Sequence, residues 1–270
     1  MSARKPLLWR AILAGFFVLS TQAASVESIR ALLRDGRTVE ALREMEQLQR
    51  ENGGNPDVLF AIGSLLQELA AQRAERLEQV DPDAPQTNEL LGKSLEAHDR
   101  LAEALTRYKR AAEKDPARPG IHFLIGNVYW KQRELNAAVP ELQTELRLNA
   151  NHTQANLRLG EILLTTDADH PEKALPYLQK AAADPHVGIE AHRELGKALR
   201  MAGRYAEALK ELKLVAVREP DDSKVHAQLA AVYRALGNAQ AAKAEMEKQR
   251  EILQQARDSS LQAQQERAHH

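Results

Sequence analysis

Small residues recur along this chain at a nearly constant interval, and that interval restricts the fold more than any other feature. Gly92, Gly126, Gly160 and Gly196 follow one another at steps of 34, 34 and 36 residues, and Ala230 takes the next place 34 residues on. Ala104, Ala138, Ala174, Ala208 and Ala242 run twelve or fourteen residues behind with the same period. A period of this size belongs to a stack of helix pairs rather than to one globular core. Where two antiparallel helices cross, a side chain larger than a methyl group holds the backbones apart, so packing selects glycine or alanine. Large apolar residues fill the remaining space. Leu91, Ile125, Leu159, Leu195 and Leu229 precede the glycine place, and Tyr108, Leu142, Leu178, Leu212 and Met246 stand four residues after the later alanine. These positions fall on one helical face. Asp115-Pro116, Asp184-Pro185 and Glu219-Pro220 mark turns, because proline ends one helix and can open the next.

The segment ELLGKSLEAHDRLAEALTRYKRAAEKDP, residues 89–116, resembles a tetratricopeptide repeat. It carries Leu91, Gly92, Leu95, Ala104, Tyr108, Ala111 and Pro116 in that family's order, and Leu195, Gly196, Leu199, Gly203, Tyr205, Ala208, Leu212 and Pro220 repeat the match. Extended both ways, the register tiles the chain as 22–55, 56–84, 85–118, 119–152, 153–188, 189–222 and 223–256. The resemblance implies an all-α, right-handed superhelical solenoid of about seven helix pairs. Residues 85–256 form five regular units, and 24–84 hold degenerate pairs. The unit 56–84 is five residues short between Gly63 and Ala70, so its turn is tight or absent, and one long helix through 57–80 is the competing reading. Residues 257–270 read as a polar extension of the last helix or a disordered tail.

The first 23 residues follow a different logic. Arg4, Lys5 and Arg10 precede the apolar run AILAGFFVL, which is followed by Ser-Thr-Gln-Ala-Ala. This is the pattern of a signal peptide, with cleavage expected after Ala23. Nine apolar residues fall short of the roughly 20 that span a bilayer. No stable membrane insertion is therefore expected after cleavage, and the chain is expected to be periplasmic or secreted. An uncleaved N-terminal anchor, tethering an envelope-assembly adaptor, is the alternative. The signal segment holds three basic residues and no acidic one, so its removal leaves 34 basic against 38 acidic side chains, a formal charge of -4. Such a surface offers no electrostatic case for nucleic acid. The absence of cysteine removes disulfides, zinc-thiolate sites and thiol nucleophiles together.

No glycine-rich phosphate loop, nucleophile elbow or metalloprotease His-Glu pair is present, so no enzyme activity and no cofactor are expected. His122, His192 and His226 share one register place in three repeats, which separates them along the stack and points to polar contacts between helices. Asp167, Asp169 and His170 cluster in the inserted loop before Pro171. That cluster reads as a turn and helix cap, with a metal-binding accessory role as the weaker reading.

The resemblance also implies where a partner would bind. In the tetratricopeptide family the first helix of each pair lines a concave groove, and the register transfers that lining to named positions. These are Phe123, Asn127 and Trp130, then Leu157, Glu161 and Leu164, then Arg193, Lys197 and Arg200, and finally Lys224 and Arg234. The expected groove is apolar in the middle and basic toward its C-terminal end. It would suit a protein or peptide segment with a hydrophobic anchor followed by acidic residues or a free carboxylate. The carboxylate clamp of chaperone-binding family members is absent as a set, since Phe123 stands where lysine is wanted and Glu161 where asparagine is wanted. Trp130, the only tryptophan beyond the signal segment, either anchors a ligand or packs on the adjacent repeat. The expected function is a non-catalytic protein-interaction scaffold.

Overall fold

A computed structural model describes residues 25–185 and 188–268. The signal segment expected at 1–23 lies outside the described residues. Among those residues the chain is all-helical, with thirteen α-helices, one short 3-10 turn and no strand. They divide into two compact units that meet at Ala111 and Ala112.

The first unit opens with α1 (25–34) and α2 (Thr38–Asn52), which close on Ile29, Leu33, Ala41, Met45 and Leu48. Helix α3 (Pro56–Val80) follows as one continuous element. This corrects the expectation of a helix pair in 56–84 and matches the competing single-helix reading. The residues missing between Gly63 and Ala70 are those that would have made the turn, and the sequence across the gap is rich in helix formers, so the helix continues. Pro56 opens it, and the Asn55 side chain accepts from the Asp57 amide at 2.9 Å. Helix α4 (Pro85–Ala97) packs on α3, and α5 (Leu101–Lys114) is tied to α3 by Arg107, which donates to Glu78 at 2.7 Å.

The second unit is a stack of regular pairs: α6 (Ile121–Lys131) with α7 (Leu135–Leu148), and α8 (Thr153–Thr166) with α9 (Leu175–Ala182). Next come α10 (Gly188–Met201) with α11 (Tyr205–Arg218), and α12 (Ser223–Ala235) with α13 (Ala239–Ala268). The extra residues between Gly160 and Ala174 form the 167–170 loop and the 3-10 turn Pro171–Lys173. Each helix packs on its predecessor, and α8 also touches α6, α10 touches α8, and α12 touches α10. The first helices therefore run side by side as an inner row through this unit.

The small residues sit where packing demands them. A Cβ built on Gly126 would lie 2.9 Å from Leu142, on Gly160 2.5 Å from Leu178 and on Gly196 2.7 Å from Leu212. Seven residues after the glycine place the chain turns through positive φ, at Asp99, Arg133, Gly203 and Gly237. Glycine takes that backbone without strain in the last two, whereas Asp99 and Arg133 hold it as L side chains.

Candidate functional site

The register positions assigned to a groove lie on the inner row of first helices, but burial removes two of them. Leu157 is 1% and Leu164 4% exposed, and both face the core that α8 shares with Leu175, Leu178 and Leu195. They are not groove-lining residues. Helix α8 is covered by α7 and α9 and flanked by α6 and α10, so its large aliphatic side chains gain more from burial than a surface position would allow.

Phe123, Asn127 and Trp130 on α6 are half-buried. The Phe123 ring lies 4.7 Å from the ring of His152, and Trp130 packs on the cluster around Leu142, Leu159 and Ile162. The Arg158 guanidinium covers the Trp130 ring at 4.0 Å from its centroid, a cation–π contact across two units. Trp130 is thus engaged with the adjacent repeat on one face. Arg158 also donates to Glu161 at 2.8 Å and lies 3.5 Å from Glu190. Burial pushes the Glu161 carboxyl above the usual glutamate range, with Glu190 and Glu194 adding to the rise and Arg158 opposing it. The middle of this face is therefore polar and charge-balanced, not apolar as expected.

The basic end is also redistributed. Arg193 pairs with Glu219 and, at 3.0 Å, with Asp222, which braces the turn into α12. Lys197 pairs with Glu194 at 3.1 Å. Arg200 is different. No carboxylate among the described residues pairs with it, and its Nε, like those of Arg158 and Arg193, is buried without a hydrogen bond. Lys224 and Arg234 are exposed, and the Arg234 Nε makes only a long 3.5 Å contact to the Ala230 carbonyl. Arg200 and Arg234 occupy the same register place on successive first helices, four residues after Gly196 and Ala230.

Two further arrangements tie helices to their neighbours. Glu145 is fully buried at the place where Ala111 and Ala181 stand in other units, and it accepts from the Gly120 amide at 3.2 Å and the Phe123 amide at 3.4 Å. It caps α6 from a neighbouring helix, because Gly120 has no side chain to do so. The signal was a charged residue at a small-residue place. The second arrangement is a ladder. His122, His192 and His226 each bond through Nδ1 to a glutamate nineteen residues on, Glu141 at 2.7 Å, Glu211 at 2.5 Å and Glu245 at 2.6 Å. Nε2 of His122 and of His226 lies 3.0 and 2.8 Å from the Pro116 and Pro220 carbonyls. His122 and His226 thereby fasten their helix pairs to the turn before them.

In the inserted loop, the Asp167 carboxylate is held by Lys173 and His170, both at 2.6 Å, and these bonds hold its pKa below the usual aspartate range. Among the described residues no group of three or more acidic or histidine side chains is placed to hold a metal. No described helix is long and apolar enough to cross a membrane.

Family models described as "TPR repeat" and "Tetratricopeptide repeat" match residues 99–132, 123–187 and 165–232. The chain belongs to the tetratricopeptide-repeat family. Among solved structures it is similar to YrrB, described as a TPR protein with an unusual peptide-binding site, at 23% identity and a TM-score of 0.60, covering 66% of this chain and 91% of that one. It is similar to MamA at 19% identity and a TM-score of 0.57, covering 64% of this chain and 94% of that one. These likenesses show the fold. Among curated proteins, DnaJ homolog subfamily C member 3 matches over 120 residues, 44% of this chain, at 32% identity in Bos taurus and 29% in Mus musculus. The chain spans only 24% of the length of those relatives.

Proposed function

We propose that this tetratricopeptide-repeat protein is a non-catalytic scaffold that holds an acidic peptide segment along the inner row of α8, α10 and α12. The observation that carries this reading is the half-buried Arg200, which forms no ion pair with a described carboxylate, whereas Arg158 and Arg193 on the same row of helices do. A carboxylate from a partner would pair with this guanidinium through a charge-assisted bond, which is stronger than a neutral one. Lys224 and Arg234 extend the unpaired positive charge along the neighbouring first helix, while Arg193 and Lys197 are already neutralised. Trp130, partly exposed beside Arg158, offers a flat apolar edge for an anchor residue. The description of the similarly folded YrrB as a TPR protein with a peptide-binding site supports a peptide as the ligand, without bearing on its charge.

The leader-like segment at 1–23 supports work outside the cytoplasm, in the periplasm or beyond it. A direct test is fluorescence anisotropy of an acidic, leucine-anchored peptide against the purified chain, with a sequence-scrambled basic peptide as control. Binding of the acidic peptide should weaken at least tenfold in an Arg200→Glu, Arg234→Glu variant and fall with added salt. Equal affinity of both proteins for the acidic peptide would remove the inner row as its site. Detection of the mature N-terminus in an osmotic-shock fraction tests export.

A further inference from the structure

We propose that copies of this chain associate head to tail, with α13 of one copy seated in the groove between α1 and α2 of the next. The starting point is a break in the repeat. Tyr108, Leu142, Leu178 and Leu212 share one register place and are all 0% exposed, whereas Met246 at the same place is 43% exposed. On α7, α9 and α11 the following first helix packs against the helix that carries this residue, and no described helix follows α13. Seven residues further along the same face, Leu253 is 52% exposed. Met246, Arg250, Leu253 and Arg257 lie along one exposed stripe of α13, spaced by two helical turns from end to end of each like pair. Neither Arg250 nor Arg257 has a carboxylate partner among the described residues.

The opposite end of the chain presents the complement. The groove between α1 and α2 has Ile29 and Leu48 as its floor, and Glu44 and Glu51 on its rim. Glu44 accepts from the Ser28 hydroxyl at 3.2 Å and Glu51 from the Gln47 amide at 2.9 Å, and neither forms an ion pair with a described residue. Glu44 and Glu51 are seven residues apart on α2, as Arg250 and Arg257 are on α13, with Leu48 inside one pair and Leu253 inside the other. Both spacings are about 10 Å along a helix axis, so the two carboxylates and the two guanidinium groups meet whichever way the helices run. Two copies of α13 facing each other would instead bring arginine against arginine, which disfavours a closed pair through this face. Because the two surfaces differ, a contact between two copies leaves one of each kind free, so further copies can add.

Sedimentation velocity of the purified chain over rising concentration tests this. The average mass should climb without stopping at a dimer, and high salt should return it toward the monomer. Arg250→Glu with Arg257→Glu should give a monomer, and so should Glu44→Arg with Glu51→Arg. An equimolar mixture of those two proteins should regain the association, since each acidic end then meets a basic one. The single neutral change Arg257→Gln, with helix content checked by circular dichroism, should weaken association several-fold without reversing charge. A wild-type chain that stays monomeric, a mass that halts at a dimer, or a mixture that stays monomeric would each overturn the proposal.

Discussion

Leu178 lies directly over Gly160, so close that a Cβ added to the glycine would fall 2.5 Å from the leucine Cγ and Cδ2. The same relationship joins Gly92 to Tyr108, Gly126 to Leu142 and Gly196 to Leu212, and it explains why the period is written in glycine. Gly63, in the middle of α3, has nothing within 4 Å of the place a Cβ would take. Gly160→Ala should therefore destabilise by about 1–3 kcal/mol through overpacking, outweighing the gain in helix propensity. Gly63→Ala should stabilise by about 0.5–1 kcal/mol. Urea midpoints of the two variants should move in opposite directions, and a stabilised Gly160→Ala would contradict the packing account.

Glu145 supplies the cap that Gly120 lacks. Glu145→Ala should cost about 1–3 kcal/mol, because the Gly120 and Phe123 amides lose their acceptor inside the stack. Glu145→Gln keeps one carbonyl acceptor and should cost less. Hydrogen exchange offers the sharper measurement: the Phe123 amide should lose protection in the alanine variant before amides of α11 do.

The raised Glu161 carboxyl carries a pH dependence whose sign is set by burial. The folded state binds this proton more tightly than the unfolded chain, so the favourable contribution is complete below the ordinary glutamate range. It is lost as pH rises through the folded value. Glu161→Gln removes that loss while keeping an acceptor for Arg158. Measured by urea unfolding, the variant should gain on the wild type between pH 4 and pH 7, and a gain by the wild type would reverse the argument.

The stack of Arg158 on Trp130 has an optical readout. In a Trp9→Phe background the remaining tryptophan should be partly quenched by acrylamide, since one ring face is covered and the residue is half-buried. Arg158→Ala should raise the quenching constant and shift emission to the red. Unchanged emission would mean that the guanidinium does not shield the ring.

Much of the fold was legible because repeats write their packing rules locally. The glycine and alanine places, the large residues that fill against them, the turns at Pro116, Pro185 and Pro220, and the inter-helix place of His122, His192 and His226 follow from spacing along one chain. So does the doubt over residues 56–84, where a missing turn left two readings. Spacing sees one helix at a time, and the surface is decided by two or three at once. Leu157 and Leu164 share the register of Phe123 and Trp130, yet α9 and α10 close over them, because aliphatic side chains gain free energy from whichever neighbour excludes water. Arg193 and Lys197 read like Arg200 in the sequence. Only the packed structure brings Glu219 and Asp222 to the first and Glu194 to the second while leaving the third unmatched, because ion pairing depends on distances of a few ångströms that no periodicity encodes.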